Sequence, residues 1–145
     1  MQRSPRSRRR AGAFTLIEVL LVLVILVVIG SIAATSFMGA QEGANKNAAK
    51  SQVDMFENAI NLYKFNTKHF PEKLEDLLEK PSDKTLADRW EGPYLTKSAL
   101  PVDPWDNPYK YSADGKKNSD KFDVWSMGPD GDDQTDDDIG NWPEK

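Results

Sequence analysis

The sequence predicts an α+β fold in which one long N-terminal helix, apolar in its first half and amphipathic in its second, carries a small head. That head holds a short antiparallel β-hairpin and ends in an acidic loop. Three observations lead there: the nearly unbroken apolar run "FTLIEVLLVLVILVVIG" at residues 14–30, a 4-3-4-3 apolar spacing from Ala49 to Tyr63, and six aspartates between Asp130 and Asp138. The 145 residues suffice for one small domain beyond the apolar segment, a size at which a core alone gives marginal stability. The organisation expected is a basic leader at 1–13, a membrane half of the helix at 14–38, and a head at 39–145.

The leader contains five arginines and no acid, so removing it takes the net charge from −4 to −9. A basic arm could bind nucleic acid, but directly before an apolar helix it serves as a cytoplasmic topogenic signal, and no nucleic-acid partner is expected. The amino end is read as inside and the carboxyl end as outside. From Phe14 to Ile29 only Thr15 and Glu18 are polar, and extension through Ala34 gives about 30 Å of helix, enough to cross a bilayer. A Sec signal cut after Ala34 or Ala40 is the alternative; a cut in the small-residue stretch Ala11-Gly12-Ala13 would instead keep the apolar helix on the mature chain.

Glu18 is the informative residue, because a carboxylate in a spanning helix costs about 2.5–3.5 kcal/mol and calls for a partner. Cleavage before Phe14 would supply one, as the new α-amino group of a neighbouring chain could neutralise Glu18 in lipid and set the register of packed helices. Alternatively, Glu18 favours the positive dipole end of its own helix.

Beyond the span, Ala49, Val53, Phe56, Ile60 and Tyr63 form one apolar stripe, with Asn45, Lys46, Lys50, Asp54, Glu57, Asn61 and Lys64 on the remaining face. A single helix from Phe14 to about Thr67 follows, weakened near Gly39 and Gly43 by about 1 kcal/mol each. "HFPEKLEDLLEKP" reads as a turn at Pro71 and a short helix using Leu74, Leu77 and Leu78. His69, the only histidine, has no companion for metal binding or general base work and belongs at the surface or core edge. Strands are expected at Tyr109–Ser112 and Phe122–Ser126 about a turn at Asp114-Gly115, with Trp105, Tyr109, Tyr111, Phe122 and Trp125 as head packing.

The acidic segment "SMGPDGDDQTDDDIGNW" is punctuated by Gly128, Pro129, Gly131 and Gly140 and followed by Ile139 and Trp142, which is unlike a disordered tail. Hard oxygen ligands about a tight loop suit Ca²⁺. The spacing is not that of an EF-hand, since Asn141 stands where the twelfth-position glutamate would be. With no cysteine, the chain has neither a disulfide framework nor a thiol nucleophile, and no paired acid and base or phosphate loop is apparent, so an enzyme is not expected.

These residues resemble a known family. "AFTLIEV" is similar to the prepilin signal, G↓F-T-L-x-E, of type IV pilins and type II secretion pseudopilins; "DPWDNPY", "FDVWSMGPDG" and the ending "DDIGNW" resemble the heads of the major pseudopilins. The resemblance runs from Ala13 to Trp142 and implies a pilin-like fold. It further implies that a prepilin peptidase cuts between Ala13 and Phe14 and methylates the new amine, and that Glu18 becomes the fifth-position glutamate of assembly. Ala13 replaces the usual glycine; a cut after Gly12 would put Glu18 sixth, whereas the cut after Ala13 restores Phe first and Glu fifth. Thr35 stands where the family places a helix-kinking proline.

For the loop, the resemblance implies one Ca²⁺ held by the side chains of Asp130, Asp137 and Asp138, with the Met127 carbonyl as a backbone ligand and Asp132 as a weaker one. Asp133 and Asp136 would be flanking charge. The implied role is a subunit of a homo-oligomeric helical filament, the pseudopilus, anchored in the inner membrane with its head in the periplasm. Its partners would be prepilin peptidase, minor pseudopilins, an inner-membrane assembly platform and an outer-membrane secretin, and its task to help move folded proteins outward. A type IV pilin or minor pseudopilin is the nearest alternative; a membrane-anchored calcium-binding domain with no polymer role is a third.

Overall fold

The computed structural model describes residues 14–119 and 121–143, with the backbone alone at 34–36. Ala13 and the rest of the leader fall outside the described residues. The order is α1 (Leu16–Thr67), a 3-10 helix (Leu74–Leu77), α2 (Lys84–Arg89), β1 (Lys110–Ser112), β2 (Asp123–Ser126) and β3 (Ile139–Gly140). Two compact units divide between Ala40 and Gln41.

In the first unit every described side chain from Phe14 to Ala33 is exposed. α1 is long and apolar enough there to cross a membrane, and none of its most apolar window is covered by the rest of the chain. Such a surface is stable in lipid, where the helix satisfies its own backbone and apolar side chains need no protein cover. The backbone remains helical past Thr35, Gly39 and Gly43.

In the second unit the expected stripe is the core. Ala49, Val53, Phe56, Ile60 and Tyr63 are all essentially inaccessible, joined by Ala59 and Thr67. Against them pack Leu74 and Leu77 of the 3-10 helix, Tyr109, and Phe122 and Val124. Edge-on ring contacts fix the geometry, with Phe56–Tyr109 at 5.1 Å and Phe70–Phe122 at 5.3 Å between centroids; each such pair adds about 0.5–1.5 kcal/mol beyond burial. α1 stops where Lys68 takes a left-handed φ of 68° and its N–H returns to the Lys64 carbonyl at 2.8 Å. The Thr67 hydroxyl donates to the Tyr63 carbonyl at 2.8 Å, which settles a polar group in the core.

The sheet has the order β1-β2-β3, antiparallel throughout, with Tyr111 opposite Val124 and Trp125 opposite Gly140. The hairpin is the one expected, starting one residue later in each strand. Two elements were not foreseen from the sequence. β3 is only two residues long and carries no alternation. α2 buries nothing and so has no periodic signature; its one signal is Asp83, whose side chain caps the Leu86 N–H at 2.9 Å. His69 is exposed, its Nδ1 lying 3.1 Å from the Thr67 carbonyl.

Candidate functional site

At the start of α1, Phe14 is 81% exposed. Thr15 and Glu18 form a reciprocal cap: the Glu18 N–H donates to the Thr15 hydroxyl at 3.3 Å, and the Thr15 N–H reaches a Glu18 carboxylate oxygen at 3.5 Å. This is the S/T-x-x-E arrangement of helix N-termini, in which a carboxylate also meets the positive end of the helix dipole. Both interactions are long, and Glu18 is exposed, so in the single chain its carboxylate is held loosely and stays accessible to a second cation.

The acidic loop is built by the motifs that precede it. Asp103, 3% exposed, accepts the Trp105 and Asn107 N–H groups on Oδ1 at 3.0 and 2.8 Å and the Ser126 hydroxyl on Oδ2 at 2.6 Å. Ser126 in turn accepts the Gly128 N–H at 3.1 Å. "DPWDNPY" and "FDVWSMGPDG" are therefore two halves of one hydrogen-bonded unit that positions the loop entrance. Gly128 has φ +70°, and a Cβ there would come within 2.5 Å of the Asp137 carbonyl and 2.8 Å of its carboxylate. Only glycine permits the chain to pass so close at that φ.

At the exit, Asn141 accepts from the Val124 N–H at 3.1 Å and donates to the Phe122 carbonyl at 3.0 Å. Asn118 links Asn141 to Asp123, whose buried carboxylate also takes the Lys116, Lys117 and Asn118 N–H groups at 2.6–3.0 Å. The Lys50 ammonium donates to the Gly140 carbonyl at 2.8 Å, tying the loop's end to α1.

Between these anchors the aspartates take different roles. Asp137 accepts the Thr135 hydroxyl at 2.6 Å and the Asp130 N–H at 3.3 Å; the Thr135 bond above all holds its carboxyl below the usual range. Asp130 accepts the Asp132 N–H at 2.9 Å. Asp138 accepts the Gln134 N–H at 3.0 Å on Oδ2, while its Oδ1 is buried without a hydrogen-bond partner. Burial pushes that carboxyl above its ordinary value. Asp133, expected only as flanking charge, accepts the Trp125 indole N–H at 2.9 Å. Met127 is buried, and Asp132 and Asp136 are exposed.

Thus Asp130 and Asp137 are adjacent. Among the described residues no three acidic, histidine or cysteine side chains form one group poised around a metal, so Asp130, Asp137 and Asp138 do not yet make a cage. The donor chemistry nevertheless suits a hard cation. An orphaned buried oxygen such as Asp138 Oδ1 costs about 1–3 kcal/mol, and a bound cation would offset it. The residues missed from the sequence as functional, Asp103, Asp123, Ser126, Asn118 and Asn141, are scaffolding; their motif positions were the available signal for all but Asn118, which lies outside the quoted motifs.

A helix exposed and apolar at its amino end, carrying a small α+β head braced by a stapled acidic loop, is the plan of a pilin-class subunit. Comparison with known proteins agrees and goes further. The family model described as "Type II secretion system (T2SS), protein G" matches residues 36–142, and the "Prokaryotic N-terminal methylation motif" matches residues 8–34. The chain is 39% identical to type II secretion system core protein G of Aeromonas hydrophila over 139 residues, covering 93% of this chain and 94% of that protein. Identity to the core protein G of Pseudomonas aeruginosa is 37% over 142 residues, covering 93% and 97%. The crystal structure of the major pseudopilin from the type 2 secretion system of enterohaemorrhagic Escherichia coli superposes with a TM-score of 0.62 at 29% identity, covering 72% of this chain and 88% of that one. The chain belongs to the type II secretion system protein G family, and is a structural subunit of the pseudopilus and not an enzyme.

Proposed function

We propose that a prepilin peptidase cuts this chain between Ala13 and Phe14 and methylates the new amine, and that the mature subunit spans the inner membrane once, amino end in the cytoplasm and head in the periplasm. Copies then leave the membrane and stack by their apolar helices into a helical filament. Glu18 neutralises the Phe14 amine of a neighbouring copy and so sets the register. Minor pseudopilins, an inner-membrane platform and an outer-membrane secretin complete the machine, which moves folded proteins across the outer membrane. The observation that carries this reading is the segment Phe14–Ala33, helical from Leu16 and exposed at every described side chain, with Glu18 its one charge; the five arginines before it support the orientation. The N-terminal peptide of the mature protein from its host's membranes should have the mass of one starting at N-methyl Phe14. A terminus at Met1, or just after Ala34 or Ala40, would overturn the reading.

The same proposal places Ca²⁺ in the loop, on Asp130, Asp137, Asp138 and the Met127 carbonyl, with Asp132 as a weaker backbone ligand. The ion would cancel the repulsion among six aspartates and fasten the loop to the hairpin. Binding to the folded state alone stabilises by about 2.7 kcal/mol when the ion is at 100 times its Kd. A chelator should accordingly lower the melting temperature of the head in detergent-solubilised protein, with Ca²⁺ restoring it; an unchanged melting temperature would remove calcium from the account.

A further inference from the structure

The chain holds two Asp-Gly bonds, Asp114-Gly115 in the hairpin turn and Asp130-Gly131 at the entrance of the acidic loop. In such a pair no side chain on the second residue shields its nitrogen from the aspartate Cγ. Both aspartates are exposed and both glycines half-buried, so accessibility does not separate the two bonds. Their surroundings do. The Gly115 N–H donates to the Lys121 carbonyl at 3.0 Å, and a Cβ there would overlap the Asn118 and Lys121 carbonyls, so the amide is engaged and the turn is closed round it. The Gly131 N–H takes no hydrogen bond among the described residues, and a Cβ there would meet nothing nearer than the Asn107 Nδ2 at 3.4 Å. Asp130 Oδ1 accepts the Asp132 N–H at 2.9 Å, an Asx-type bond that folds the carboxyl group back across the Gly131 peptide.

We propose that Asp130 is a site of spontaneous isomerisation to isoaspartate, selected over Asp114 by the fold, and that a cation held on the Asp130 carboxylate blocks the reaction. The Gly131 nitrogen attacks Cγ: a C–N bond forms, a C–O bond breaks, and the oxygen leaves as water with the amide proton and the carboxyl proton. Water then adds to the Asp130 α-carbonyl carbon of the five-membered imide and breaks its bond to the Gly131 nitrogen, which recovers a proton. Nothing is oxidised or reduced and the mass is unchanged. The backbone gains a methylene, and the carboxylate that remains stands one methylene closer to the chain. That change falls where the Asp130 N–H meets the Asp137 carboxylate at 3.3 Å, so a subunit that has reacted once no longer presents the two aspartates as a pair. A carboxylate oxygen bound to a metal ion cannot leave as water, and isomerisation therefore records time spent without the ion. The protection rests on the calcium reading above; the isomerisation does not.

The test uses the full chain in detergent, warmed for days below its melting temperature in chelator or in Ca²⁺, then digested. Electron-transfer fragmentation of the peptides distinguishes a β-linked from an α-linked aspartate at each position. In chelator isoaspartate should accumulate several-fold faster at Asp130 than at Asp114, and Ca²⁺ should slow it several-fold. In urea, where the bond from Gly115 to Lys121 is gone, the two positions should react at similar rates. No isoaspartate at Asp130 in the folded chain, or as much at Asp114, would overturn the site. So would a preference for Asp130 that persists in urea, since it would then come from local sequence and not from the fold. Equal rates at Asp130 with and without Ca²⁺, in a head whose melting temperature does respond to chelator, would overturn the protection; equal rates with an unchanged melting temperature would mean that the calcium reading has failed and the isomerisation stands.

Discussion

The two halves of α1 share a backbone and almost nothing else. From Leu16 to Ala33 the helix is apolar on all sides and every described side chain is exposed, whereas from Ala49 to Thr67 one apolar stripe is inaccessible and the charges lie elsewhere. The difference is one of solvent. In lipid a buried face earns nothing for an apolar helix, so composition suffices and no side chain need be distinguished except the one that is charged. In water about 25 cal/mol per Å² of buried apolar surface rewards a specific face, and the position of each residue matters. Substitutions should therefore act through assembly in the first half and through folding in the second.

The largest contrast should come from E18A, which should abolish filament formation and secretion while leaving denaturant unfolding of the head unchanged; a stability change in the head would break the division between the halves. Next, F56A should cost about 3–5 kcal/mol of head stability, the usual range for emptying a large buried ring's place, because Phe56 is fully buried and stacked edge-on with Tyr109. Assembly would fail only because folded heads become scarce, and lower temperature should restore it. Smaller again, S126A should cost about 1–3 kcal/mol by leaving Asp103 and the Gly128 N–H short of a partner in a buried place; urea unfolding followed by tryptophan fluorescence would measure it.

The smallest effect at working pH is the head's response to alkali. Burial, then the charges of Asp76 for Tyr63 and Asp103 for Tyr109, pushes both phenols up to about 12 from 10.0, and Tyr111 is raised too, mainly by burial. The unfolded chain thus loses these protons first. This contribution is fully present below pH 10 and is lost as pH rises through about 12. A melting temperature measured from pH 8 to 12 should hold flat at first and then fall. The first half of α1 has no tyrosine, so the fall should belong to the head.

Much of this was legible in the residues. The helix ends near Thr67 because Pro71 and the loss of periodicity say so, and Lys68 closes it as a left-handed cap. The hairpin was readable since β-branched and aromatic residues flank a glycine turn. By contrast, α2 and β3 bury too little or are too short to leave a pattern, and they exist because neighbouring chain and the Asp83 cap hold them. The acidic loop was legible as a composition and not as a geometry. Six aspartates within nine positions are plain in the sequence; which of them stand together depends on Gly128, Ser126 and Asp103, residues brought into contact from separate segments.

The sequence by itself determined the helix, its change near residue 40 from apolar all round to amphipathic, the core stripe and the N-terminal methylation motif, because each depends on neighbours within a few positions along one element. Tertiary structure alone decided that Asp103 meets Ser126, that Asp133 holds Trp125, and that Asp138 Oδ1 is buried without a hydrogen-bond partner. Those contacts join residues as far as 23 positions apart, and a carboxylate's role is set by the donors that folding brings within about 3 Å, which spacing along the chain does not encode.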